Sequence, residues 1–153
     1  MTELRERLDD SLQKGQRAKD TCAVATLRLI LAAIKDRDIA ERGQGNADGL
    51  DDGQILALLQ SMIKQREESI RLYEQGNRPD LVEQETKEIA VIRTFLPPPL
   101  SEEETAAAIS AIIEETGATS LKDMGRVMAT LKERFAGQLE LVTVGKMVRK
   151  RLT

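Results

Sequence analysis

The stretch Pro97-Pro98-Pro99-Leu100-Ser101-Glu102-Glu103-Glu104 separates two runs of helical sequence and decides how the chain is read. Three consecutive prolines lack the N–H that a helix interior needs, and they favour a stiff, extended connector. Ser101 and Glu104 then make a capping-box pattern, in which the hydroxyl accepts from the third helical N–H and the carboxylate reaches back. One helix therefore ends before residue 97 and another starts just after 101. Upstream, Leu81, Val82, Ile89, Ile92, Phe95 and Leu96 recur at helical spacing. Downstream, Ile109, Ile112 and Ile113 do the same until Thr116-Gly117.

The same period continues in both directions. Leu4, Leu8 and Leu12 predict a first helix over about Thr2 to Lys19. Asp20 is placed to cap a second, with Val24, Leu27, Ile30, Leu31 and Ile34 as its stripe. The segment 43–49 has turn chemistry and no apolar pattern, so it reads as a mobile loop. Asp51 or Asp52 caps a third helix carrying Ile55, Leu58, Leu59, Met62, Ile63, Ile70 and Tyr73. Gly76-Asn77 stops it, and Pro79 suits the first turn of a fourth. Beyond Gly117, Ser120 with Asp123 starts a helix whose face is Met124, Val127, Met128, Leu131 and Phe135. Gly137 breaks it before a last helix with Leu141, Val144, Val148 and Leu152. No period-2 strand pattern of useful length occurs. The expected fold is all-α, with a four-helix N-terminal domain over 1–96, a proline linker over 97–100 and a small three-helix C-terminal domain over 101–153.

Composition narrows the chemistry. The 153 residues include no His and no Trp, one Tyr and two Phe. Imidazole metal sites and Ser-His-Asp or Cys-His nucleophile systems are therefore impossible. Stacking platforms for single-stranded nucleic acid are nearly excluded too. One cysteine, Cys22, permits no intramolecular disulfide. The charged N-terminus lacks a signal-peptide core and no run approaches the ~18 apolar residues of a membrane span, so the default expectation is a cytoplasmic protein without a membrane partner. No metal or cofactor site and no catalytic residue follow from the residues.

Charge is unevenly spread. The formal net charge is −3, from 26 acidic and 23 basic side chains. Residues 101–116 hold five Glu and no basic residue, whereas 117–153 hold eight basic against three acidic side chains. Lys122, Arg126, Lys132, Arg134, Lys146, Arg149, Lys150 and Arg151 make that surplus. Lys122 and Arg126, four apart, point outward together, opposite the Met124 stripe. Two readings stand side by side. One is a phosphate-contacting surface, with Lys122, Arg126, Lys132, Lys146, Arg149 and Lys150 as its contacts. The other is a solvated face, with Lys146 to Arg151 complementing a helix C-terminus.

Arg66 falls inside an apolar stripe, between Ile63 and Ile70, and Glu85 lies likewise between Leu81 and Ile89. The short turn between these two helices makes them antiparallel. A partly buried Arg66–Glu85 ion pair that fixes helix register is expected, with Glu88 as the alternative partner. The remaining candidates are bland. Cys22 reads as a small buried hydrophobe, Met124 and Met128 as core, and Glu102 to Glu104 as a helix N-terminus.

Several stretches carry a resemblance to the YqeY family, also called GatB/YqeY-like proteins. They are Thr26-Leu27-Arg28-Leu29, Met62 through Ile70, Tyr73-Glu74, Asp80-Leu81, Phe95-Leu96-Pro97, Glu115-Thr116-Gly117-Ala118 and Lys122 through Met128. The resemblance implies an all-helical protein whose C-terminal part is similar to the tail of the B subunit of aspartyl/glutamyl-tRNA amidotransferase, a tail that contacts tRNA. That enzyme's chemistry belongs to a catalytic cradle and a separate amidase subunit, and no segment here resembles either. The resemblance thus implies a non-catalytic partner of tRNA or of a tRNA-handling enzyme, through Lys122, Asp123, Met124, Gly125 and Arg126. Carbon–nitrogen ligase activity with glutamine as donor of the amide nitrogen would come only with partner subunits. A helical protein–protein adaptor without RNA contact is the alternative.

Overall fold

The computed structural model of the protein describes residues 3–153, and the described residues form seven α-helices, one 3-10 turn and no strand. The all-α expectation holds. By their internal contacts, residues 1–96 and 97–153 form two units, each with its own hydrophobic core.

In the first unit, α1 spans Glu3–Ala18, α2 Thr21–Gly43, α3 Asp52–Gln75 and α4 Pro79–Arg93. The expected start of α1 at Thr2 lies outside the described residues. Leu4 and Leu8 bury one face of α1, and Gly15 lets it approach α2 so closely that a Cβ there would meet Val24 at 3.2 Å. Lys19 reverses the chain in the left-handed region (φ 57°), after which Asp20 caps α2 by accepting from the Ala23 N–H. Leu27, Ile30 and Ile34 carry the buried face of α2. Of the 43–49 segment, expected to be mobile, Gly43 ends α2 and 44–49 is tied down: Asn46 N–H donates to the Glu41 carbonyl and Asn46 Nδ2 to that of Gly49. It delivers Leu50 into the core. Of the two candidate caps for α3, Asp51 is the one used, in a reciprocal capping box with Gln54.

α3 packs chiefly on α4, and α2 lies against both. Ile55, Leu59 and Ile92 are fully enclosed here, each stabilising the unit by about 1.5–3 kcal/mol relative to exposure. α4 stops at Arg93 although its apolar pattern runs on to Leu96. Phe95 is buried from the following turn, with the Arg7 guanidinium 5.6 Å over its ring.

In the second unit, α5 spans Glu102–Thr116, α6 Met124–Arg134 and α7 Leu141–Leu152. Ser101 and Glu104 form the capping box of α5, and Gly117 closes it in the left-handed conformation (φ 67°) that a side chain would strain. The segment from Ser120 differs from the expected helix start by one feature. Leu121–Asp123 is a 3-10 turn, because the Asp123 carboxylate accepts from the Thr119 and Ser120 N–H groups and tightens the chain before α6 begins. Ile109, Ile112, Val127, Leu131, Val144 and Val148 form the core. Leu139, before α7, is buried, whereas Leu141 remains partly exposed. Leu100 joins this unit, its N–H donating to the Gln138 carbonyl.

Candidate nucleic-acid interface

Burial of α7 decides where its cations go. Val144, Val148 and Leu152, four apart, face the core, which turns Lys146, Arg149 and Lys150 to the opposite side. On α6, Val127 and Leu131 are buried, and Arg126 and Lys132 are exposed; Lys122 is exposed on the 3-10 turn. All six residues singled out in the sequence as phosphate contacts are therefore at the surface of one unit.

Their partners differ. Arg126 donates to Asp123 Oδ1 at 3.0 Å. Arg134 makes a two-pronged pair with Glu115 of α5, one arm at 2.6 Å, and Arg151 donates to Ser110 at 2.8 Å. Lys122, Lys132, Lys146, Arg149 and Lys150 make no ion pair and no side-chain hydrogen bond among the described residues. Five cations thus remain available to an outside ligand. Three carboxylates of this unit, Asp123, Glu115 and Glu140, are already used. The backbone N–H groups of Thr119 and Ser120 hold the Asp123 carboxyl below the usual carboxylate range, and Arg134 does the same for Glu115. Glu140 caps α7 through the Val142 and Thr143 N–H groups. Within the Lys122 to Arg126 motif, Met124 packs against the core, and a Cβ on Gly125 would meet nothing within 4 Å. Phe135, the single aromatic of residues 97–153, is packed against the core.

The first unit holds two charged clusters. In one, Arg66 Nε donates to Glu88 Oε2 at 3.2 Å and lies 3.9 Å from Glu85 Oε2, while a terminal nitrogen reaches the Met62 carbonyl. The three side chains are only 13–19% exposed. Burial, then the neighbouring Glu88, pushes the Glu85 carboxyl above its ordinary range, with Arg66 pulling the other way. This cluster ties α3 to α4.

The other cluster was not foreseen. Asp38, 6% exposed, receives both arms of the Arg5 guanidinium at 2.8 and 2.9 Å, and the Leu50 N–H at 2.8 Å. Arg5 also donates to the Leu50 carbonyl. The Arg5 hydrogen bonds, with that from Leu50, bring the Asp38 carboxyl down to about 2. Gly49 (φ 74°) must be glycine here, because a Cβ would overlap Asp38 Oδ1. One signal was available: Asp38 follows Ile34 by four residues and so continues the buried stripe of α2. Elsewhere, Cys22 is half-buried, and the described residues contain no cluster of three metal-ligating side chains.

These features define a class: an all-helical protein of two units, with part-buried ion pairs inside the first and unpaired cations on the second. The chain belongs to the Yqey-like protein family, whose sequence profile matches residues 5–152. It is similar to "Altered inheritance of mitochondria protein 41, mitochondrial" of Lachancea thermotolerans, 36% identical over 71% of this chain and 57% of that protein. The protein of the same name from Eremothecium gossypii is 32% identical over 73% of this chain and 60% of its own length. The chain thus spans less than two thirds of these curated relatives. Their names correct the cytoplasmic expectation, since they are designated mitochondrial. That expectation rested on the lack of a signal-peptide core and of an apolar span. No helix of the described residues is long and apolar enough to cross a membrane, but this does not distinguish one aqueous compartment from another.

Proposed function

We propose that the protein is a non-catalytic, tRNA-binding accessory protein that contacts RNA backbone through its second unit. The observation that carries this reading is the set of five exposed, unpaired cations, Lys122, Lys132, Lys146, Arg149 and Lys150, in a unit whose Asp123 and Glu115 carboxylates are already satisfied. Neutralising phosphates needs such charges, and their release of counterions makes binding weaken with salt. The resemblance of this unit to a tRNA-contacting tail selects tRNA among polyanions. Arg126 contributes less than its position in the motif suggests, because Asp123 holds it.

Fluorescence anisotropy with total tRNA tests the reading. The logarithm of affinity should fall linearly with the logarithm of salt. Lys146→Glu with Lys150→Glu should reduce the steepness by about two phosphate contacts, roughly 1.4–1.8 in slope. No binding at low salt, or equal binding by the double variant, would sink it. A pull-down with and without RNase separates this reading from a protein–protein adaptor or an amidotransfer accessory, whose partner survives RNase.

A further inference from the structure

The side-chain chemistry left free on the second unit says which part of an RNA it can hold. We infer that its ligand is the double-helical portion of a folded RNA, gripped by phosphates without regard to base sequence, and that single strands are poor ligands. This rests on the RNA reading above and narrows it.

Three observations carry the inference. The unit has four arginines, and three are engaged within it: Arg126 by Asp123, Arg134 by Glu115 and Arg151 by Ser110. Arginine is the cation that reads guanine edges with two parallel donors or stacks on unpaired bases, whereas lysine acts as a point charge on phosphate. What remains free is four lysines and Arg149, a set suited to backbone contact. The second observation is that the one aromatic, Phe135, is half-buried against the core, so the unit lacks an open aromatic platform for unpaired bases. Stacking is worth ~1–3 kcal/mol per base to single-strand binders, and without it a flexible strand must be ordered by charge alone. Third, the cations stand on a 3-10 turn and on two short helices, α6 and the Glu140-capped α7, anchored by buried Val127, Leu131, Val144 and Val148. Fixed charges match a ligand whose phosphates are already fixed, as they are along both strands of a duplex. A duplex also carries the higher charge density and releases more counterion per contact than a single strand.

The test compares a hairpin RNA containing about 16 base pairs, the length a duplex-binding module spans, with oligouridylate of the same number of phosphates. A second hairpin of scrambled stem sequence completes the set. All are measured by anisotropy across a salt series with the full chain. Both hairpins should bind alike, and oligouridylate at least about tenfold more weakly at about 0.1 M salt, the difference that slopes of about −0.9 and −0.7 per contact accumulate over five contacts per decade of salt. Lys146→Glu with Lys150→Glu should weaken both hairpins equally while far-UV circular dichroism stays unchanged, since both positions are exposed. Restoring the free charge as Lys146→Arg with Lys150→Arg should keep hairpin affinity within a few fold. Equal binding of oligouridylate, or a strong preference between the two stems, would overturn the inference while leaving RNA binding intact. Failure of every RNA to bind at low salt would remove both.

Discussion

Asp38→Ala is the sharpest test of how the first unit is held together. The substitution deletes two charge-assisted hydrogen bonds from Arg5 and the bond from the Leu50 N–H. Arg5 is 23% exposed and can turn to water, but Leu50 is 3% exposed and its N–H is left without an acceptor. An unsatisfied buried donor costs about 1–3 kcal/mol. A second route gives a similar figure. Lowering the carboxyl from 3.8 to about 2 corresponds to roughly 2 kcal/mol, or about 1–2 after allowing for the water close to Arg5. A loss of about 2 kcal/mol should lower the Tm of a unit of this size by ~8–16 °C. The pH dependence follows from the depressed value. The stabilisation is fully present above the unfolded value of 3.8 and is lost as pH falls through about 2. The stability gap between the wild type and Asp38→Asn should therefore be constant above about pH 5 and close toward pH 2. Urea melts across that range supply the readout. If Asp38→Ala melts within about 2 °C of the wild type at pH 7, the clasp is not a source of stability and the reasoning fails. Gly49→Ala should destabilise as well, and less so in the Asp38→Ala background, because the overlap with Oδ1 disappears.

Other outcomes follow from named contacts. Glu85→Gln should be neutral or stabilising at pH 7, because burial and Glu88 penalise its charge, whereas Glu88→Gln weakens the bond to Arg66 and should destabilise; denaturant midpoints at pH 7 rank the two. Ser101→Ala removes one half of the α5 capping box and should cost about 1 kcal/mol, read from thermal melts of the full chain. Gly117→Ala forces an alanine into a left-handed backbone with no gain in packing, so it should destabilise the second unit by about 1 kcal/mol in the same assay.

Helices and their ends were legible because their causes are local. The stripes of α2, α3, α6 and α7, the caps at Asp20, Asp51 and Ser101, and the stops at Gly76 and Gly117 depend on residues within a few positions of one another. The pattern misled where local signals ended. Leu96 continued the apolar period of α4 after the backbone had left the helix, and Leu141 fitted the α7 stripe although Leu139 is the residue that the core encloses. The segment 44–49 looked free because its hydrogen bonds run to Glu41, Arg42 and its own backbone, which composition does not register.

By itself the sequence determined an all-helical chain without imidazole chemistry or stacking surfaces, and a last quarter rich in cations. Helical periodicity and residue identity need no knowledge of what lies far away in the chain. Tertiary structure decided which charges answer one another. It joined Arg5 to Asp38, 33 residues on, and gave the Arg66 hydrogen bond to Glu88 with Glu85 farther off. It also spent Arg134 and Arg151 on α5 while leaving Lys146, Arg149 and Lys150 unpaired. Electrostatic partnership is a matter of distance in space, and only the packed helices set those distances.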